Sequence, residues 1–286
     1  MVGLLRNVAT YLRPGSVEEA VALVQSMPQA AYVAGGAWLV AQGDSSLVTL
    51  VDLQNLGIGA IEATLEDVRI GAMASLQAMI DHPDAGELAD GLLAEAAGYV
   101  QSRNLREQGS VGGTLITGSS ADPLTTALLV LDVEVFYADP VVHKAPFMSF
   151  VAYRERLIKA QVLLTHLRIK RAPRRSASAF AVVGRSPKDK PIVCVAAHVR
   201  VSEGLPEIVR LAVGGAHTRP TRLHKAEHML QGQLLGPERI EGVLEPALEA
   251  LEPVADFRGG VAYRRAMAKV LTRRALAEAW ERARRA

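Results

Sequence analysis

The stretch of sequence that decides the fold is SVEEAVALVQSMPQAAYVAGGAWLV, residues 16–40. Its opening serine and the glutamate three residues later form a capping box, in which two side chains satisfy free N–H groups at a helix start. Apolar residues then recur at helical spacing, which predicts a helix over residues 16–26. A short strand is predicted over Ala31–Ala34 and leads directly into Gly35-Gly36. Helix, strand and glycine pair in this order indicate an α/β unit.

Strands and helices continue to alternate up to about residue 172. Asp122 and Pro123 mark the start of one helix, since aspartate is a preferred N-cap and proline a preferred first helical residue. The predicted elements are strands over Leu47–Leu53, Val68–Met73, Val133–Tyr137 and Val162–Ile169, helices near Ser75, over Ala85–Val100 and from Pro123 to about Leu131, and an extended segment at Ser110–Thr117. We expect residues 1–172 to form one domain of two α/β lobes, about 1–55 and 56–172.

A basic segment that is poor in apolar residues, RIKRAPRRSAS at 168–178, indicates the boundary to a second domain. Beyond it, the pattern predicts three strands joined by turns and then three helices. They are Ala179–Gly184, Ile192–Val201, Ile208–Gly214, and the helices around Arg222–Gln231, Pro237–Leu251 and Val261–Ala286. Residues 173–286 are therefore expected to form a small domain with a three-stranded antiparallel sheet and helices, and the whole chain to be α+β.

The composition excludes several classes of function. The chain has 286 residues and a net charge of +2, which is too small to indicate a nucleic-acid partner. Its one cysteine, Cys194, excludes an internal disulfide, a cysteine-ligated zinc and an iron–sulfur cluster held by this chain alone, and it is predicted to be a buried thiol. The histidines lack metal-binding spacing. Because no apolar run reaches the ~18 residues of a membrane span, we expect a cytoplasmic protein.

Four glycine pairs occur, at Gly35-Gly36, Gly112-Gly113, Gly214-Gly215 and Gly259-Gly260. A glycine pair after a strand lets backbone N–H groups approach an anion, because no Cβ blocks the way. A single pair is more typical of a tight turn, but two pairs in one α/β domain favour a cradle for a pyrophosphate. Neither matches the GxGxxG fingerprint or a P-loop. The last two pairs are interpreted as turns.

Several of these motifs resemble one family. VAGG at 33–36 resembles the first FAD-binding motif of the flavin subunits of molybdenum hydroxylases, the group of carbon-monoxide dehydrogenase and xanthine dehydrogenase. GSVGGTLI at 109–116 is similar to their second motif, T-I-G-G-N. Further similarities are RPGSVEEA at 13–20, LVDL at 50–53, RNLR at 103–106, ADP at 121–123 and the closing segment at 263–276. The resemblance covers nearly the whole chain and implies the family's bilobed FAD-binding fold followed by a small C-terminal domain.

The resemblance also implies a set of cofactor-binding residues. In the family the two glycine loops wrap the FAD pyrophosphate, an acid lies near the adenosine ribose and an apolar side chain packs near the flavin. On this chain the implied residues are Val33, Ala34, Gly35, Gly36, Ala37, Trp38, Leu39, Ser110, Val111, Gly112, Gly113, Thr114, Asp122 and Leu164. Asp122 can equally be a helix cap, and both roles are compatible. For Leu164, packing in the core is the favoured interpretation.

This sequence departs from the family's pattern at three positions. Trp38 stands where a small polar residue is usual, and its indole either stacks on the cofactor or obstructs it; we favour obstruction. Thr114 replaces an asparagine, but its hydroxyl can still form hydrogen bonds. Val182 stands where a lysine is common on the first strand of the last domain.

The function implied by the resemblance is that of an FAD-binding electron-transfer subunit. Electrons would come from [2Fe–2S] clusters on a small partner subunit, having originated at molybdenum in a large partner subunit, and would pass to NAD, a quinone or oxygen. Two alternatives stay open: a scaffold or assembly protein without productive FAD binding, and a free-standing flavin oxidase. The cations of the C-terminal helix are interpreted as a solvated face, with a docking surface for an acidic partner as the alternative.

Overall fold

A computed structural model describes residues 5–100, 102–186 and 189–286, and they form two compact units. The first contains the described residues of Met1–His82, Gln101–Thr117 and Val133–Ile169, and the second those of Pro83–Val100, Gly118–Asp132 and Lys170–Ala286. Two segments from the N-terminal half of the chain therefore belong to the second unit. The divisions predicted near residues 55 and 172 stay predictions.

The described strands and helices alternate up to β3, and beyond it they come mostly in runs of strands and runs of helices. The strands are β1 (Thr10–Leu12), β2 (Ala30–Val33), β3 (Thr49–Asp52), β4 (Ile61–Ala63), β5 (Asp67–Gly71), β6 (Val133–Asp139), β7 (Val141–Pro146), β8 (Leu163–Lys170), β9 (Ser176–Val183), β10 (Val193–Ser202), β11 (Leu205–Gly214) and β12 (Thr221–Arg222). The helices are α1 (Val17–Ser26), α2 (Ala37–Gln42), α3 (Leu76–Asp81), α4 (Pro83–Gly98), α5 (Arg103–Gln108), α6 (Val111–Thr117), α7 (Pro123–Leu129), α8 (Phe147–Lys159), α9 (His224–Leu230), α10 (Pro237–Glu249) and α11 (Val261–Arg285).

The first unit contains two sheets. One is parallel with strand order β1-β3-β2, and the other has strand order β4-β5-β8-β6-β7. Helix α1 buries Ala20, Val21 and Val24 in a core shared with both sheets. The Tyr32 hydroxyl, at the end of the parallel sheet, donates a hydrogen bond of 2.8 Å to the carbonyl of Gln161 just before β8. The bilobed α/β arrangement expected from the sequence is thus present.

The helix starts follow from their capping residues. Ser16, Ser75 and Asp122 each accept a hydrogen bond from the N–H group three residues later, so the predicted starts of α1, α3 and α7 are confirmed. Helix α4 is interrupted, because residues 88–91 leave the helical conformation. The second unit's sheet is antiparallel with order β12-β11-β10-β9, so the short strand β12 adds a fourth strand to the three predicted.

One expectation about the first unit was wrong. Ser110–Thr117 was expected to be extended, but α6 covers Val111–Thr117. The Ser110 hydroxyl oxygen accepts a hydrogen bond from the N–H of Gly113 at 3.1 Å, and the Ser110 carbonyl accepts one from Thr114 at 2.9 Å. These bonds close the first helical turn, and they outweigh the low helix propensity of valine and the two glycines.

Cys194 and the cations of α11 behave as interpreted from the sequence. The Cys194 thiol is fully buried, and burial raises its pKa to about 12, so it stays protonated and unreactive. Most of the α11 cations pair with carboxylates of this chain: Lys269 with Glu241 and Glu245, Arg273 with Glu241, Arg282 with Glu278, and Arg284 and Arg285 with Glu281. This pairing favours a solvated helix face over a docking surface for an acidic partner.

Arg264 holds three segments of the second unit together. Its side chain is 2% exposed and donates to the carbonyls of Ile192 (2.5 Å), Gly215 (3.0 Å) and Gly259 (3.1 Å), as well as to Asp256 (2.6 Å). Burial alone would raise the pKa of Asp256, but hydrogen bonds from Arg258 and Arg264 hold that pKa well below its usual range. The start of α11 is thereby fixed to the ends of β10 and β11.

We expect Arg264→Met to destabilise the second unit by about 3–5 kcal/mol, because it leaves a carboxylate and buried carbonyls without their donor. Arg274→Met is the matched control: it changes an exposed arginine of the same helix and should cost no more than about 0.5 kcal/mol. The measurement is urea unfolding followed by fluorescence of the buried Trp280 in a Trp38→Phe background. Equal midpoints for the two variants would contradict this role of Arg264.

Candidate cofactor-binding site

The first glycine loop lies between β2 and α2. Strand β2 ends at Val33, whose carbonyl accepts a hydrogen bond from Leu53 at 3.1 Å. Gly36 is the N-cap of α2 and has a φ of 70°, a left-handed conformation that favours glycine. The chain therefore turns sharply from the end of the parallel sheet into the first turn of a helix.

This loop presents five consecutive backbone N–H groups, those of residues 35–39, that have no acceptor within the described part of the chain. The first N–H that finds one is that of Val40, which bonds to the Gly36 carbonyl at 3.0 Å. N–H groups in a glycine turn and a first helical turn form a concave positive site for an anion. Because amides supply the positive potential, a phosphate can be held there without a lysine.

The second glycine motif offers no such donors. The N–H groups of Val111 and Gly112 bond to the carbonyls of Ala74 (2.9 Å) and Ala72 (2.8 Å), and those of Gly113 and Thr114 bond to Ser110. A Cβ on Gly112 would lie 2.8 Å from the Ala72 Cβ, so glycine here allows α6 to pack tightly after β5. The Ser110 hydroxyl oxygen accepts the Gly113 N–H, while its hydrogen has no acceptor among the described residues and is free to donate.

The two motifs meet at Gly35. A Cβ on Gly35 would lie 1.5 Å from the carbonyl oxygen of Gln108, the last residue of α5. The next residue, Gly109, is fixed by two backbone hydrogen bonds, from its N–H to Leu105 (2.7 Å) and from Leu76 to its carbonyl (2.9 Å). The segment that leads into the second motif therefore braces the first loop.

The other predicted site residues lie in different surroundings. Trp38 is 49% exposed on α2, a helix without buried residues, and Leu39 is half-buried. Leu164 is buried in β8, opposite Tyr137 of β6. Asp122 belongs to the second unit and caps α7, where one carboxylate oxygen accepts hydrogen bonds from the N–H and hydroxyl of Thr125. Val182 lies in β9 opposite Cys194.

Asp52 was not among the predicted site residues. It pairs with Val33 across the parallel sheet and is 1% exposed. Its carboxylate accepts hydrogen bonds from the Tyr11 hydroxyl (2.8 Å), the Arg13 guanidinium (3.2 Å) and the N–H of Gln54 (3.0 Å). The signal that could have found it was an acid in the apolar strand sequence LVDL, since buried carboxylates are rare unless they are paired.

A glycine loop of this kind is typical of proteins that bind a phosphate-bearing cofactor, and comparison with known proteins gives the family. The model of the family described as the FAD binding domain in molybdopterin dehydrogenase matches residues 6–170, and that of the CO dehydrogenase flavoprotein C-terminal domain matches residues 178–279. The chain therefore belongs to the FAD-binding medium subunits of molybdenum hydroxylases, as the sequence motifs indicated. It is an oxidoreductase subunit with FAD as its cofactor.

The similarity to individual relatives extends over whole chains. The nicotine 6-hydroxylase medium subunit of Paenarthrobacter nicotinovorans is 27% identical, over 95% of this chain and 97% of that subunit. The carbon monoxide dehydrogenase medium chain of Hydrogenophaga pseudoflava is 24% identical, over 95% of this chain and 97% of that one. A solved structure of the latter enzyme, lacking the Mo-pyranopterin moiety, superposes with a TM-score of 0.89 at 25% identity, over 96% of this chain and 98% of that one.

The first glycine loop fits FAD, because the cofactor's pyrophosphate needs donors and the loop presents N–H groups without acceptors. When bound, FAD supplies the redox chemistry, since a flavin can take up electrons singly and release them in pairs.

Within the described ranges, no cluster of three or more histidine, cysteine or acidic side chains is arranged to hold a metal ion. None of the described helices has the length and hydropathy that crossing a bilayer requires.

We expect Gly35→Ala to weaken FAD binding roughly five- to hundredfold. The new methyl group must displace the loop from Gln108, and overpacking of this kind costs about 1–3 kcal/mol. Gly98→Ala is the control, because a Cβ there meets no atom within 4 Å. FAD affinity is measured by flavin fluorescence, and unchanged affinity in Gly35→Ala would count against the brace.

Trp38→Ser tests whether the indole obstructs the cofactor or stacks on it. Relief of obstruction should tighten FAD binding by about 1–3 kcal/mol, whereas loss of stacking would weaken it by about 0.5–1.5 kcal/mol. We expect tighter binding. Because Trp38 is half-exposed, the substitution should leave the fold intact by circular dichroism, so the change in affinity reports on the cofactor alone. Weaker binding would show that the indole is a cofactor contact.

Proposed function

We propose that this chain is the electron-transfer subunit of a molybdenum hydroxylase complex. It holds FAD, takes electrons from the [2Fe–2S] clusters of a small partner subunit, and passes them to an external acceptor. The proposal adds two statements to the family membership: the direction in which electrons flow and the identity of the partner subunits. Its support is that relatives are named as medium subunits or complex subunits, including a 6-hydroxypseudooxynicotine dehydrogenase complex subunit alpha that is 27% identical.

The observation that carries the proposal is the set of uncommitted N–H groups at residues 35–39. Solvent reaches residues 35–39, so water can solvate these donors in the free protein, and the FAD pyrophosphate would replace that water on binding. The proposed pyrophosphate contacts are therefore Val33 to Leu39, with Ser110 donating from the second motif and Val111 to Thr114 acting as its support.

The remaining proposed contacts concern the two ends of the cofactor. Asp122 presents a carboxylate at the start of α7, and a carboxylate accepts hydrogen bonds from ribose hydroxyls well. Leu164 supplies an apolar surface in β8. The chain's own single cysteine cannot ligate a cluster, so electrons must reach the cofactor across an interface.

We expect the FAD-loaded chain to co-purify with an iron–sulfur subunit and a molybdopterin subunit encoded beside it, through an interface of more than about 1,200 Å². Mixed rapidly with the chemically reduced iron–sulfur subunit, the flavin absorbance should bleach. The same partner without its clusters is the control and should leave the absorbance unchanged. A stable complex whose flavin does not bleach would contradict the electron path. Turnover of an organic substrate by the isolated chain would instead favour a free-standing oxidase.

A further inference from the structure

Two adjoining open cavities in the second unit form a cleft lined by arginines. The first has a volume of about 590 Å³ and is lined by Arg174, Arg175 and Arg200, and the second, of about 270 Å³, by Arg175, Arg284 and Arg285. Arg175, Val201 and Ala286 line both cavities, so the two adjoin. We call these five side chains the arginine cleft. None of them belongs to the cofactor site described above.

Three different segments bring these arginines together. Arg174 and Arg175 precede β9, Arg200 lies in β10, and Arg284 and Arg285 end α11. The carbonyl of Arg175 accepts a hydrogen bond of 2.8 Å from the N–H of Val201, at a point where the β10–β11 register shifts. Strand irregularities of this kind re-aim side chains, and they occur often beside binding sites. Arg175 also has a φ of 58°, a left-handed conformation that is uncommon for a residue other than glycine.

The charges in the cleft are only partly compensated. Arg200 pairs with Glu207 at 3.1 Å, while Arg284 and Arg285 each lie 3.6 Å from Glu281. Glu203 lines the first cavity. The side chains of Arg174 and Arg175 form no ion pair or hydrogen bond with any residue that the structure describes. Against these five arginines stand three side-chain carboxylates and the terminal carboxylate of Ala286, which lines both cavities, so one positive charge is left in excess.

A buried hydroxyl lies next to the cleft. The Ser176 side-chain oxygen is buried without a hydrogen-bond partner among the described residues, and Ser176 pairs with Arg200 across β9 and β10. Buried polar atoms without protein partners are rare in folded proteins, and a ligand in the neighbouring cleft is one source of a partner for this hydroxyl.

We propose that the arginine cleft binds a small phosphate-bearing anion of nucleotide size. Arginine presents a planar fork of donors that matches phosphate oxygens two at a time, which explains why the cations here are arginines rather than lysines. A concave volume of about 590 Å³ lies within the range of small-ligand pockets. An acidic protein segment is less favoured, because cations converging from three segments suit a compact ligand.

Calorimetric titration of the FAD-loaded protein with inorganic pyrophosphate and with ADP tests the proposal at low ionic strength, where screening is weak. Flavin absorbance verifies that the FAD site stays filled. We expect both probes to bind, and Arg174→Gln and Arg284→Gln each to weaken binding about tenfold or more. Arg69→Gln, which changes an exposed arginine paired with Glu62 in the first unit, is the control and should bind as the unaltered protein does.

Three results would overturn the proposal. The first is that neither probe gives a heat of binding. The second is equal affinity in Arg174→Gln and the unaltered protein, and the third is binding that appears only after FAD is removed. If neither probe binds but Arg174→Gln reduces co-purification with partner subunits, the cleft is a protein interface instead.

Discussion

The contact between the Gly35 backbone and the Gln108 carbonyl is the constraint on which the cofactor site depends. Helix α2 buries none of its residues, so packing of its own side chains cannot hold the loop that precedes it. The loop is instead fixed at one end by the parallel sheet and at the other by a carbonyl that leaves no room for a Cβ. The loop that carries the five N–H groups cannot move closer to α5, because the Gln108 carbonyl already lies against Gly35.

This arrangement also explains why no cation is needed in the cradle. A lysine would add a mobile charge whose position costs side-chain entropy to fix, whereas amide dipoles are fixed by the backbone itself. The second motif contributes rigidity: its N–H groups are bonded to Ala72, Ala74 and Ser110, so α6 and the end of β5 form one body. The first glycine motif thus offers N–H donors, whereas the second fixes the backbone that supports them.

The sequence contained the local information for much of this fold and little of the tertiary information. Capping residues such as Ser16 and Asp122 marked helix starts correctly, because a cap acts within four residues. The error over α6 arose because two glycines and a valine have low helix propensity. The helix is nevertheless closed by Ser110 and supported by Ala72 and Ala74. Residues about forty positions away in sequence decide that outcome, and periodicity does not reveal them.

The same limit applies to glycine pairs as predictors of a phosphate site. A paired glycine shows that a backbone must pass close to another atom or adopt a positive φ, but not what the freed N–H groups do. Gly215 would place a Cβ 2.1 Å from the Ile192 carbonyl, yet its N–H bonds to Ser120 at 2.7 Å, and the N–H of Gly259 bonds to Asp256 at 3.2 Å. In those two pairs, the glycine allows close packing and its N–H group bonds to another part of the same chain. Among the described residues, Gly35-Gly36 differs because both of its N–H groups lack an acceptor, and that difference favours this pair as the proposed cofactor cradle.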